Sequence, residues 1–141
     1  MRLLDTNVLF NAVHDRSPHH RVAQQALQQA FSDNAGVALA WLPLIGFIRV
    51  ATRSGIMPRP LAVADALALV HEWLQHPRAQ LLQPGVRHLD LVSRLLLEAG
   101  VAGNLTNDAH IAAIAIEHQA EVLTFDKDFA KFTGLRYQLL S

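Results

Sequence analysis

The chain has 141 residues, about half of them hydrophobic, no cysteine, and twelve basic against twelve acidic side chains. That length is enough for one domain with its own core. The missing cysteines exclude a disulfide framework or thiolate site and agree with a reducing cytoplasm, while zero net charge excludes the overall basic footprint of a typical nucleic-acid-binding domain. The apolar run in MRLLDTNVLFNAV is too short for a signal peptide, and no stretch reaches membrane-spanning length. The low polarity is therefore assigned to surfaces covered by another chain. Positive charge is carried by ten Arg and two Lys, and Arg suits bidentate phosphate contacts.

Residues Arg2 to Leu4 are predicted as a short buried strand ending on Asp5, with Thr6 capping a first helix through Val13. Ser17 followed by Pro18 reads as a cap and a first helical position, starting a second helix that runs to Ser32. Its apolar face is Val22, Ala23, Ala26, Leu27 and Ala30, and its solvated face is Gln24, Gln25, Gln28 and Gln29. After a turn at Asp33–Gly36 come a strand, Val37 to Ala40, and a third helix, PLIGFIRVATR, stopping near Ser54 and Gly55. Ile56-Met57-Pro58-Arg59-Pro60 is a rigid link. A long amphipathic helix, Leu61 to Gln75, leads to a strand at Ala79–Leu82, and a further helix from Val86 to Glu98 closes at Gly100.

The stretch NLTNDAHIAAIAIEHQAEVLTFDKDF, Asn104 to Phe129, reads as a loop, a nearly all-apolar helix, a tight turn, a strand at Glu121–Thr124 and a tail carrying two carboxylates. Leu135 to Leu139 is a last edge strand. Alternating strands and helices imply right-handed crossovers. The expected architecture is a single α/β domain over residues 1–141, with a central, mainly parallel sheet of about four or five short strands flanked by about seven helices.

Asp5 and Asp126 each follow a short apolar strand, which in a parallel sheet puts both at the carboxyl edge where ligands collect. Asp108 opens the most apolar helix, on one face with Ala112 and Ala115. Each acid has a plainer role when taken alone: loop residue, helix-start residue, or solvated turn for Asp126-Lys127-Asp128. Together those plain roles would require carboxylates to meet at one edge by accident. Two carboxylates about 4 Å apart repel by roughly 4 kcal/mol at an effective dielectric near 20, so a cluster would unfold the site or hold protons unless a cation neutralises it. Oxygen-only ligands suit Mg2+, or Mn2+ as a substitute, rather than zinc. Such an ion polarises a phosphate oxygen and activates a water for in-line attack.

The pieces LLDTNVL, SPHH, GFIRVATR, GNLTNDAHIAAIAIEH and VLTFDKDFAKFTGLRY resemble a PIN domain, and more closely the VapC-type toxins of bacterial toxin–antitoxin pairs. The links MPRPL and PGVRHLDL extend the likeness to the mycobacterial-type branch and to essentially the whole chain. The resemblance implies that Asp5, Asp108 and Asp126 are metal-binding and catalytic, with Asp128 a further acid of the site or a partner that supports its ligands. It places Thr6 and Asn7 beside the metal and makes Thr124 a support. It also implies a Mg2+-dependent endoribonuclease acting on structured cellular RNA (tRNA or rRNA), a cognate antitoxin protein as partner, and a homodimer. One departure stands out. Such toxins usually carry a Glu near the start of the third helix, but AWLPLIGFIRV has no acid, and Leu42 or Leu44 occupies the position. The alternative reading is therefore a catalytically impaired PIN-fold protein that binds RNA or antitoxin. A DNA nuclease or phosphatase on another acid-cluster α/β fold is the third.

Arg49 and Arg53, one helical turn apart, are candidate RNA-phosphate contacts, the alternatives being a solvated face or, for Arg49, a partner of a site aspartate. His19, His20 and His110 read as helix-start or surface residues. No Ser or Cys has a His partner that would suggest covalent catalysis, and there is no GxGxxG or Walker loop. Trp41, Phe47 and Trp73 read as core or interface.

Overall fold

Five short strands carry the architecture, the three central ones built from residues that bury on both faces or nearly so and the two edge ones partly exposed. The computed structural model describes residues 1–56 and 58–141; Met57, in the predicted Pro-rich link, lies outside them. The strands are β1 (Arg2–Leu4), β2 (Val37–Leu39), β3 (Ala79–Leu81), β4 (Glu121–Thr124) and β5 (Tyr137–Leu139). They form one fully parallel sheet in the order β3-β2-β1-β4-β5. The helices are α1 (Thr6–Val13), α2 (His20–Ser32), α3 (Trp41–Thr52), α4 (Val63–Gln75), α5 (His88–Ala99) and α6 (Thr106–Glu117). Two short 3-10 turns, Gly103–Leu105 and Lys127–Lys131, complete the elements seen among the described residues.

Alternation along the strands divides the interior into two cores. Leu4, Val37, Leu39 and Leu123 face one way and pack with Val8, Leu9, Phe47 and Trp73 from α1, α3 and α4. Leu3, Ala38 and Val122 face the other way, against α5, α6 and the aromatic pair Phe129 and Phe132. Helix α6 is buried from Ala109 through Ala115, interrupted only by half-buried His110. Its small Ala side chains let it lie close to the sheet, which brings its first turn to the strand ends.

Chain order explains where the site must be. The path steps outward from β1 to β2 and β3, then crosses back to β4 on the other side of β1. Between β1 and β4 the succession reverses, and loops leaving their carboxyl ends diverge to leave a crevice. Asp5 follows β1 and Asp126 follows β4 by two residues, so both stand at its mouth.

Several local expectations shift. Thr6 does not cap α1: Asp5 does, accepting a 2.8 Å hydrogen bond from the Thr6 amide, while the Thr6 hydroxyl donates to the Pro43 carbonyl. Helix α2 starts at His20 rather than Pro18, because the Ser17 hydroxyl closes a local turn, accepting from the His19 amide and donating to Asn11. Helices α4 and α5 each begin two residues later than the apolar pattern suggests, and α5 ends as expected on Gly100, whose φ of 77° takes the left-handed cap. Pro43 sits at the third position of α3, where a missing N–H leaves no helical bond unmade.

Candidate active site

The switch-point crevice is a cleft of about 380 Å3, with Asp5, Asp108 and Asp126 in its wall. Carboxylate oxygens of Asp108, Asp126 and Asp128 lie within 4.8 Å of one another. Their spacing has a local cause. Asp126 begins the 3-10 turn after β4 and accepts a 2.9 Å hydrogen bond from the Asp128 amide, folding the second carboxylate back beside the first. Lys131 reaches Asp128 at 3.1 Å from one turn further on, an exposed pair of small energetic weight.

Asp5 is held differently. It is buried, its Oδ1 accepts from the Thr6 amide, and its Oδ2 accepts from the Thr124 hydroxyl at 2.7 Å and the Asn7 amide at 3.3 Å. Asn7 also accepts from the Phe125 amide, and the Thr124 hydroxyl accepts from the Asp126 amide. These bonds tie β1 to β4 and fix both ends of the cleft's floor. A buried group of this kind is stable only because each of its oxygens finds a donor.

The electrostatics follow the geometry. Burial pushes the Asp108 carboxyl up to about 7, and the charges of Asp126, Asp5 and Asp128 push the same way. Asp5 is also raised, chiefly by burial, with its Thr124 and Thr6 bonds opposing and Asp126 adding to the rise. The ion-free site therefore holds a proton near neutrality, the usual response of like charges that cannot all ionise together. An all-oxygen donor set of this density fits a hard divalent cation, which would take the proton's place.

Of the residues singled out from the sequence, Thr6, Asn7 and Arg49 also line the cleft, and Thr124 lies buried beneath it. Arg53 does not line it. It falls one residue past α3 in extended backbone, so the expected shared helical face with Arg49 is not formed. Leu42 lines the cleft whereas Leu44 is fully buried in the core, which makes Leu42 the residue at the acid-free position. His19 stacks on Phe125, and His20 bonds the Asn11 carbonyl. Phe47 and Trp73 form a T-shaped core pair, and Trp41 is about half exposed.

Gly46 and Asn107 were not singled out. A Cβ on Gly46 would fall 2.5 Å from the Thr6 hydroxyl, so only glycine lets α3 close on α1 beside the acids. An isolated glycine inside a helical pattern was the available signal.

A PIN domain family model matches residues 2–135. The chain is 44% identical over 137 residues to Ribonuclease VapC37 of Mycobacterium tuberculosis, covering 97% of this chain and 95% of that protein. It is 40% identical to Ribonuclease VapC33 of the same organism, covering 97% and 96%. Among solved structures, VapBC2 from Rickettsia felis bound to a promoter DNA fragment superposes with a TM-score of 0.70 at 18% identity, over 99% of this chain and 98% of the other. Mycobacterium tuberculosis VapC20, a sarcin-ricin loop cleaving toxin, does so with 0.66 at 15%, over 96% and 99%. At such identities the two structures speak to the fold.

Proposed function

The chain belongs to the PIN-domain family, as a ribonuclease of the VapC toxin type, and from that premise we propose that residues 1–141 form one PIN domain acting as a Mg2+-dependent endoribonuclease on structured cellular RNA, tRNA or rRNA. The observation that carries this reading is the meeting of three carboxylates within 4.8 Å at the switch point of a parallel sheet. Asp108, Asp126 and Asp128 are the residues that would hold Mg2+ or Mn2+, with Asp5 beside them. When bound, such an ion neutralises phosphodiester charge and makes a water molecule more acidic.

The chain's own side chains do the rest. Thr124 and Asn7 fix the Asp5 carboxylate by donating to Oδ2, so its position does not depend on substrate. Arg49, exposed at the cleft wall, presents a planar fork of N–H donors to an RNA phosphate. Phe10, Ile45 and Val50 supply an apolar wall beside these groups. Among the described residues no helix is long and apolar enough to cross a membrane; the VapBC assembly that shares this fold supports a cognate antitoxin as partner, and the toxin itself is proposed to be a cytoplasmic homodimer.

Cleavage of a hairpin RNA should require Mg2+ or Mn2+, stop with chelator, and fall more than about a hundredfold in Asp108→Ala. Cleavage persisting in chelator and in that variant would overturn the proposal. Leu42 at the acid-free position favours a second reading, in which turnover is impaired and binding of RNA or antitoxin is the main activity. A gain in cleavage in Leu42→Glu would support it, and a loss would count against it.

A further inference from the structure

Two residues of the acid cleft face a second cavity as well. Leu42 and Asn107 belong to both walls, and His88, Leu89, Val92, Thr106 and His110 complete this neighbour of about 370 Å3. The His88 and His110 rings stand 4.6 Å apart at 82°, with Nε2 of His88 2.8 Å from Nδ1 of His110. That hydrogen bond holds the two rings, one from α5 and one from α6, edge to face at the cavity wall. Leu89, in the first turn of α5, leaves 74% of its surface open at the rim. The exposed Asn107 amide stands between the cavities, and its side chain makes no hydrogen bond within the chain among the described residues.

An occupant suited to these walls is flat, apolar on its faces and polar at its edges. It is also joined to a group that belongs in the acid cleft, since the two cavities share a wall. We infer that this cavity receives an unstacked nucleobase from the nucleotide adjoining the phosphate in the acid cleft, an inference that rests on the ribonuclease reading above. Single-stranded RNA is recognised through splayed bases laid on aromatic side chains, and an Asn amide offers the paired donor and acceptor that a base edge matches. A chain alternating phosphate and base would fill both cavities in one step along its backbone. The acid cleft alone carries no sequence information; this cavity would supply it.

Binding of short hairpin RNAs, measured by fluorescence anisotropy in chelator so that no cleavage intervenes, tests the inference. Making one loop nucleotide abasic should weaken binding about tenfold relative to the intact loop. Leu89→Ser should abolish that difference, with an unchanged circular dichroism spectrum showing that the fold is kept. Equal binding of intact and every abasic RNA would overturn the inference and leave the cavity to a protein side chain. An abasic penalty that persists in Leu89→Ser and again in His88→Leu would place the base elsewhere, and would overturn it too. Absence of RNA cleavage in Mg2+ would count against the proposed function without altering this binding result.

Discussion

Asp5 and the trio of Asp108, Asp126 and Asp128 are the same side chain in two kinds of setting. Asp5 is wrapped in donors, with Thr6, Asn7 and Thr124 all bonded to its oxygens. The trio is half-buried and faces mainly itself. One carboxylate has its position fixed by three protein hydrogen bonds before any ligand arrives; the others, offset only by the Asp128 amide on Asp126 and the exposed Lys131 on Asp128, keep a mutual repulsion that a cation can relieve. Stored repulsion makes the trio the proposed cation site, and the wrapped acid gives it a fixed reference point.

Among changes that spare the carboxylates themselves, breaking the wrapped side should have the largest effect. Thr124→Val keeps the shape but removes the donor to Asp5 and the acceptor for the Asp126 amide, both buried or partly so. We expect a loss of about 1–3 kcal/mol in stability and a fall in cleavage of about 10- to 100-fold, read from chemical denaturation and RNA cleavage rates. Unchanged values would mean that the wrapping is incidental.

Crowding the approach to the acids should cost less. The Cβ of Gly46→Ala would strike the Thr6 hydroxyl, whose rotation away would break its bond to Pro43. An overpacking penalty of about 1–3 kcal/mol follows, together with a narrower cleft and a higher KM for RNA. A variant as stable and active as the parent would show that α1 and α3 can separate freely.

The trio's own signature is pH dependence of the ion-free protein. The folded Asp108 keeps its proton up to about pH 7, whereas the unfolded chain releases it near 3.8. Between those values the folded state binds more protons, so stability falls as pH rises through the window. Asp5, raised as well, adds in the same direction. Melting temperature should decline by a few degrees from the lower end of the window to above pH 7, and Mg2+ should restore more of it at the upper end than at the lower. A stability that rises with pH there would contradict the assigned charge cluster.

The two sides also differ in how far they could be read from sequence. Strand β1, strand β4 and the apolar α6 were legible because short buried runs next to Asp5, Asp108 and Asp126 mark chain segments aimed at one sheet edge. The back-folded turn of Asp126 and Asp128 is local and was half visible in DKD. The wrapping of Asp5 was not legible from spacing, since Thr124 lies 119 residues away in the chain and only parallel pairing of β1 with β4 makes the contact. Sequence predicts Thr6 as the cap because Thr often caps helices. Asp5, one residue earlier, took the role because its carboxylate already lay beside that amide. Arg53 was placed by helical periodicity that the chain abandons at Thr52.

The central claim is that Asp108, Asp126 and Asp128 jointly hold a divalent cation next to Asp5. Anomalous diffraction from crystals soaked in Mn2+ tests it most directly. The account predicts a peak bounded by those three carboxylates that disappears in Asp126→Asn. A Mn2+ peak elsewhere on the protein with none at this cluster, or one there that survives Asp126→Asn undiminished, would contradict it.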